Sequence, residues 1–172
     1  MRRPVYRGRI VDLGLETVQL PNGHEVELEV IRHPGASAIV PVHADGTVTL
    51  VHQYRHAGGG MHIEVPAGVL DEGESPETCA HRELAEEVQL RAGQLVSLGT
   101  IYTTPGFTDE QIHLFLGREL SVAEGQPEPD EYIEVLRVPL VQALGWVESG
   151  RITDGKTICA LFMARRRLIQ GG

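Results

Sequence analysis

Cysteine is scarce in this chain, two residues in 172, Cys79 and Cys159. A disulfide framework is therefore excluded, and no Cys/His run has the spacing of a zinc site. Both cysteines fall in helical, apolar-patterned stretches and are expected to be reduced core residues. Long hydrophobic runs are missing as well. No segment reaches the length of a bilayer span, and Arg2-Arg3 is not followed by the apolar stretch of a secretory signal. Positive charge is short too: 15 Lys and Arg stand against 24 Asp and Glu, a formal net charge of −9. That balance disfavours nucleic-acid backbones and anionic membranes as partners. A small phosphate compound remains open, because local arginines and bound cations set the field inside a site. The expectation is a cytoplasmic protein with neither a membrane nor a nucleic-acid partner.

The length suits one domain with a moderate core and a small appendage. Residues 5–31 alternate, with Val26, Leu28 and Val30 on one face and Glu25, Glu27 and Glu29 on the other. Pro21-Asn22-Gly23 interrupts them, and Asn-Gly between alternating runs signals a hairpin. Residues 1–33 therefore read as a small antiparallel sheet ahead of a main domain at 34–172. Within that domain, strands are expected at 36–42, 47–53, 62–66, 95–102, 111–116 and 132–139. Helices are expected at 75–90, 140–149 and 154–169. Residues 125–130 read as a polar loop. Mixed strands interrupted by helices imply an α/β fold with a sheet sandwiched between helices. Repeats and low-complexity segments are absent, and Arg165-Arg166-Arg167 suits a solvated helix C-terminus.

Residues 68–90 hold the most chemistry. A glycine loop leads into a helix whose Ser75 suits the N-cap and Pro76 the first turn. Ala80, Leu84 and Val88 form its apolar stripe. Glu83 and Glu87 stand four residues apart on one face, with Glu86 beside them. Carboxylates so close repel one another unless the face is solvated or a hard cation such as Mg²⁺ binds their oxygens.

The run resembles the signature of the Nudix hydrolases, G-x5-E-x7-R-E-U-x-E-E-x-G-U with U aliphatic. Gly68, Glu74, Arg82, Glu83, Leu84, Glu86, Glu87 and Leu90 fill their slots, and Gln89 replaces the late glycine. That glycine normally ends the helix in a left-handed conformation, so the departure bears on the helix end and not on the metal site. Other stretches resemble the ADP-ribose pyrophosphatase branch: His33-Pro34-Gly35-Ala36, Gln53-Tyr54-Arg55, Glu64-Val65-Pro66-Ala67-Gly68, Pro105-Gly106-Phe107-Thr108-Asp109-Glu110 and Glu131-Tyr132-Ile133-Glu134-Val135.

The resemblance implies a Nudix α/β/α sandwich and metal-dependent hydrolysis of ADP-ribose to AMP and ribose 5-phosphate. Glu83, Glu86, Glu87 and the Ala67 carbonyl would hold Mg²⁺, or Mn²⁺ in its place, with more than one ion per site. Arg82 would orient the glutamates, and Gly68 and Glu74 would serve the loop. Glu131 would be the catalytic base, with Glu128 and Asp130 as alternatives. Arg55, Glu110 and Phe107 would meet the substrate, and His52 stands where many relatives carry arginine. Loops outside the signature leave GDP-mannose, NADH or a dinucleoside polyphosphate as other substrates, and a non-catalytic ADP-ribose sensor as a different class. The branch also implies a homodimer built on the N-terminal sheet.

Overall fold

The computed structural model describes residues 1–125 and 132–170. Three strands open the chain, β1 (Arg2–Arg7), β2 (Asp12–Gln19) and β3 (Glu25–Arg32), paired antiparallel in that order. Gly23 takes φ 85° in the β2–β3 turn, which is the conformation the Asn-Gly signal anticipates. The alternation does not bury a face, however. Leu28 remains 42% exposed, and Val5, Tyr6 and Ile10 are more exposed still. One seam joins this sheet to the rest. The Ile31 amide donates to the Phe107 carbonyl at 2.8 Å, and the Asp109 amide donates to the Ile31 carbonyl at 3.3 Å. Arg32 ties both sides, bonding Glu16 of β2 and, at 2.9 Å, Asp109.

The main body runs β4 (Ala36–Pro41), β5 (Thr47–Arg55), β6 (Gly60–Glu64), β7 (Ala67–Val69), α1 (Pro76–Val88), β8 (Leu90–Tyr102), β9 (Gln111–Val122), β10 (Ile133–Pro139), α2 (Leu140–Glu148) and α3 (Gly155–Gln170). A four-stranded mixed sheet has the order β7-β4-β9-β8, with β4 and β9 parallel. A second sheet, β10-β5-β6, is antiparallel. All six residues of β4 are buried, because helices cover both of its faces. Ala38 and Val40 pack with Leu144, Ala160 and Leu161 of α2 and α3. Ile39, between them, points the other way and packs with Ala80 and Leu84 of α1. A strand hidden on both sides reads as a continuous apolar run, as 36–42 does.

Several element ends differ from those the sequence predicts, most of all around α1, β8 and β9. The first helix stops at Val88, not Leu90, and β8 begins at once with Leu90. Gln89 supplies the reversal alone, at φ 54°, ψ 40°. It keeps the left-handed conformation of the glycine it replaces. β9 also extends to Val122, six residues past the expected end, pairing with the early half of β8. Arg118, Glu119 and Ser121 make that extension largely polar, with Leu120 and Val122 as its apolar residues. The ladder to β8 and the packing of Leu120 on the α1-side core make it a strand, and both are tertiary features.

Candidate active site

The site is built from α1 outward. Ser75 caps the helix by accepting from the Thr78 amide at 3.2 Å, and Pro76 opens the first turn. Ala80 and Leu84, fully buried, fix the helix on β4. The helical period then turns Glu83 and Glu87 toward the β6–β7 connection. They are only 9% and 3% exposed, so this is not a solvated acidic face. Buried carboxylates need partners. Glu87 Oε2 accepts from the Ala67 amide at 3.0 Å, and Glu83 Oε1 accepts from Arg82 Nη1 at 2.6 Å. Gly68 is where the backbone passes the Glu83 carboxylate, and a Cβ there would overlap it.

Arg82 organises the wall. Its Nε and Nη2 reach the two oxygens of Glu74 at 3.0 and 2.9 Å, and Nη1 also reaches Glu86 Oε2 at 3.2 Å. Arg82 holds the Glu74 carboxyl below its ordinary range. Under the wall lies Cys79, whose thiol burial and the Glu83 charge push up to about 11. A thiol so placed stays protonated and inert at neutral pH.

Ala67, Gly68, Glu83 and Glu86 form one side of a cleft of ≈ 1240 Å³, with Arg55 and Glu110 also on its lining. Arg55 ends β5 and pairs with Glu64, donating from Nε and Nη2 at 3.1 and 2.9 Å. Glu110 accepts from Thr103 Oγ1 at 2.7 Å and stands 3.6 Å from His33 Nε2. Phe107 is 50% exposed and is not among the lining residues. Its carbonyl instead serves the seam to β3. Glu128, Asp130 and Glu131 lie outside the described residues. The next residue is fixed, since the Tyr54 amide donates to the Tyr132 carbonyl at 3.2 Å, one position before Arg55.

Four residues, Glu64, Asp154, Lys156 and Gly125, are given no site role by the sequence reasoning. Glu64 is 3% exposed and also bonds Lys156, which itself lines the cleft with Asp154. Gly125 was read only as the start of a loop. Its Cα lies against the α1 backbone at Ala85, where a Cβ would collide, and its carbonyl accepts from Gln89 Nε2 at 3.3 Å.

The carboxylate wall suits a hard divalent cation. Its donors are all oxygen, its negative charge exceeds what one guanidinium offsets, and it is largely buried. Among the described residues no three such side chains converge on one point, because Arg82 holds Glu83 and Glu86 while the Ala67 amide holds Glu87.

Known proteins resemble the chain throughout its length. The NUDIX domain model matches residues 31–161. An ADP-ribose pyrophosphatase of Bacillus subtilis is 42% identical over 162 residues, spanning 93% of this chain and 88% of that protein. A GDP-mannose pyrophosphatase of Citrobacter koseri is 37% identical over 151 residues, 77% of this chain and 78% of that protein. In fold, the chain superposes with a TM-score of 0.86 on a crystal structure described as ADP compounds hydrolase, at 23% identity, covering 100% of this chain and 94% of the other. No helix among the described residues is long and apolar enough to cross a membrane.

Proposed function

The chain belongs to the Nudix family, and on that premise we propose that it hydrolyses the diphosphate bond of ADP-ribose to AMP and ribose 5-phosphate, and that of related ADP-sugars to AMP and the sugar phosphate. One observation carries this reading: the signature carboxylates Glu83 and Glu87 are buried instead of lying in solvent, with Glu83 and its neighbour Glu86 on the lining of a large cleft. Similarity to an ADP-ribose pyrophosphatase across 93% of the chain supports the substrate.

Nudix hydrolases in general use divalent metal ions. Here Glu83, Glu86, Glu87 and the Ala67 carbonyl would hold Mg²⁺, with Mn²⁺ able to replace it and more than one ion per site. Such ions neutralise the diphosphate and lower the pKa of bound water. The protein's own groups do the rest. Arg82 and Glu74 keep the glutamates from folding away into solvent, through the charge-assisted bonds described above. Arg55 presents a guanidinium whose planar fork suits phosphate oxygens. Glu110, on the cleft lining, flanks the nucleoside or sugar. A carboxylate of the 126–131 segment, Glu131 ahead of Glu128 and Asp130, takes the proton from the attacking water.

The apolar side chains left exposed on β1–β3 support a homodimer in which this sheet is the contact. Deleting residues 1–32 should then give a monomer that no longer binds substrate. A fully active monomer would refute the arrangement.

GDP-mannose is the second reading, favoured by the 37% identity to a GDP-mannose pyrophosphatase. Turnover of a panel containing ADP-ribose, ADP-glucose, GDP-mannose, NADH and diadenosine polyphosphates with Mg²⁺ separates the two. ADP-ribose should dominate and yield AMP. Preference for GDP-mannose would keep the chemistry and overturn the substrate. Binding of ADP-ribose with no turnover would make the protein a sensor.

A further inference from the structure

Arginine supplies nearly all the positive charge of this chain, and Lys156 is its single lysine. That residue is neither on the surface nor in the signature. It sits at the start of α3, on the lining of the cleft, with its side chain 14% exposed. Its Nζ lies 2.5 Å from Glu64 Oε2 and 3.1 Å from Asp154 Oδ2. Glu64 Oε2 also accepts from Arg55 Nη2, so one buried carboxylate joins the lysine to the arginine.

We propose that Lys156 is a positioning residue for the substrate diphosphate: it fixes the Glu64 carboxylate, and Glu64 in turn fixes the Arg55 guanidinium on the cleft. The inference rests on the reading of the cleft as the diphosphate site.

The chemistry of the corner supports it. A carboxylate paired with one arginine forms a neutral couple, and the arginine's charge is then largely satisfied before an anion arrives. A second cation on the same carboxylate shares that compensation and leaves Arg55 more of its field for the cleft. Burial alone would raise the Glu64 carboxyl, yet Arg55 and Lys156 together hold it below its ordinary value, so it is ionised at neutral pH. The geometry is anchored as well as the charge. Asp154 Oδ2 accepts from the Thr157 amide at 2.9 Å and from its hydroxyl at 2.6 Å, and Thr157 Oγ1 accepts from the Val65 amide at 2.9 Å. The residue next to Glu64 is therefore bolted to the same turn that carries Lys156. Rigid support of this kind is what holds a binding group within reach of its target.

The single lysine makes a direct test practical. Lysine-selective ¹³C/¹⁵N labelling of the full chain should give one side-chain signal, and ADP-ribose added without divalent metal should shift it. In Arg55→Met, added ADP-ribose should leave that signal where it was. In kinetics with Mg²⁺, Lys156→Met should raise KM for ADP-ribose about tenfold, the size of one charge-assisted contact, with kcat changed less than about twofold. Lys156→Arg, which keeps the charge, should recover most of the loss. An unmoved lysine signal on saturation with ADP-ribose would overturn the proposal, as would an unchanged KM in Lys156→Met. A fall in kcat with KM intact would also overturn it, marking a purely structural lysine. If Lys156→Met does not fold, the labelled wild type and Lys156→Arg still decide. Should ADP-ribose bind and move the signal without being hydrolysed, the functional reading fails and this one stands. Should it be hydrolysed without moving the signal, the functional reading stands and this one fails. Absence of binding sinks both.

Discussion

The two walls of the cleft are held together in opposite ways. On the α1 side, several carboxylates crowd one guanidinium, and their summed negative charge exceeds its single positive one. On the α3 side, Glu64 and Asp154 are matched by Arg55 and Lys156, and the cluster closes on itself. In the function proposed above, the first wall takes up an ion that arrives from solution. The second is part of the folded protein whether or not a ligand is present. Weakening the first should therefore cost activity and spare stability, whereas weakening the second should cost stability and affinity together.

The largest effect expected is on the first wall. Glu87→Gln should lower kcat by roughly 10²- to 10³-fold, the scale of losing a principal electrostatic contact at a reacting centre. Its melting temperature without metal should not fall, since one repulsive charge has gone. A large loss of metal-free stability would break the comparison. The opposite pattern is expected at Glu64. Replacing one partner of a buried charged cluster strands the others, so Glu64→Gln should destabilise the fold by about 3 kcal/mol in chemical unfolding. The pH dependence follows in sign. Glu64 has a depressed folded pKa, so its contribution is complete above the ordinary carboxylate range and lost as pH falls through the depressed value. Wild type should lose stability across that acid window more steeply than Glu64→Gln.

How much of this was legible beforehand divides along the same line. The α1 wall is local in sequence. Gly68, Glu74, Arg82, Glu83, Glu86 and Glu87 fall within twenty residues, and helical period alone puts the last carboxylates on one face. The α3 wall draws Arg55, Glu64 and Lys156 from β5, β6 and α3, and no periodicity links residues 92 positions apart. The fold shows the same contrast. The β2–β3 turn and the strand at Ala36 were plain from Asn-Gly and a continuous apolar run. The outer half of β9 was hidden because it is mostly polar and is held by pairing with β8 and by the packing of Leu120, neither of which a local pattern encodes. The role proposed for Glu131, with Glu128 and Asp130 as alternatives, rests on resemblance alone, and these residues lie outside the described segments.

Two smaller effects sharpen the picture. Mg²⁺ at a hundredfold its Kd should stabilise the protein by about 2.7 kcal/mol, raising Tm by roughly 5–10 °C for a chain of this size. Glu64→Gln should keep most of that rise, because its wall is not where the ion binds. Gln89→Gly should bring a gain of only about 0.5–1 kcal/mol, from relief of a left-handed side-chain-bearing residue minus the flexibility of glycine and the lost bond to Gly125. A destabilised Gln89→Gly would mean that the tether to Gly125 outweighs the backbone strain.

The most direct test of the central claim is a calorimetric Mg²⁺ titration of wild type and of Glu83→Gln/Glu87→Gln, with ADP-ribose hydrolysis followed in the same samples. Wild type should bind Mg²⁺ and release AMP with the same metal dependence, and the double variant should do neither while remaining folded. Hydrolysis of ADP-ribose by the folded double variant at the wild-type rate would show that the α1 carboxylates do not hold the catalytic metal.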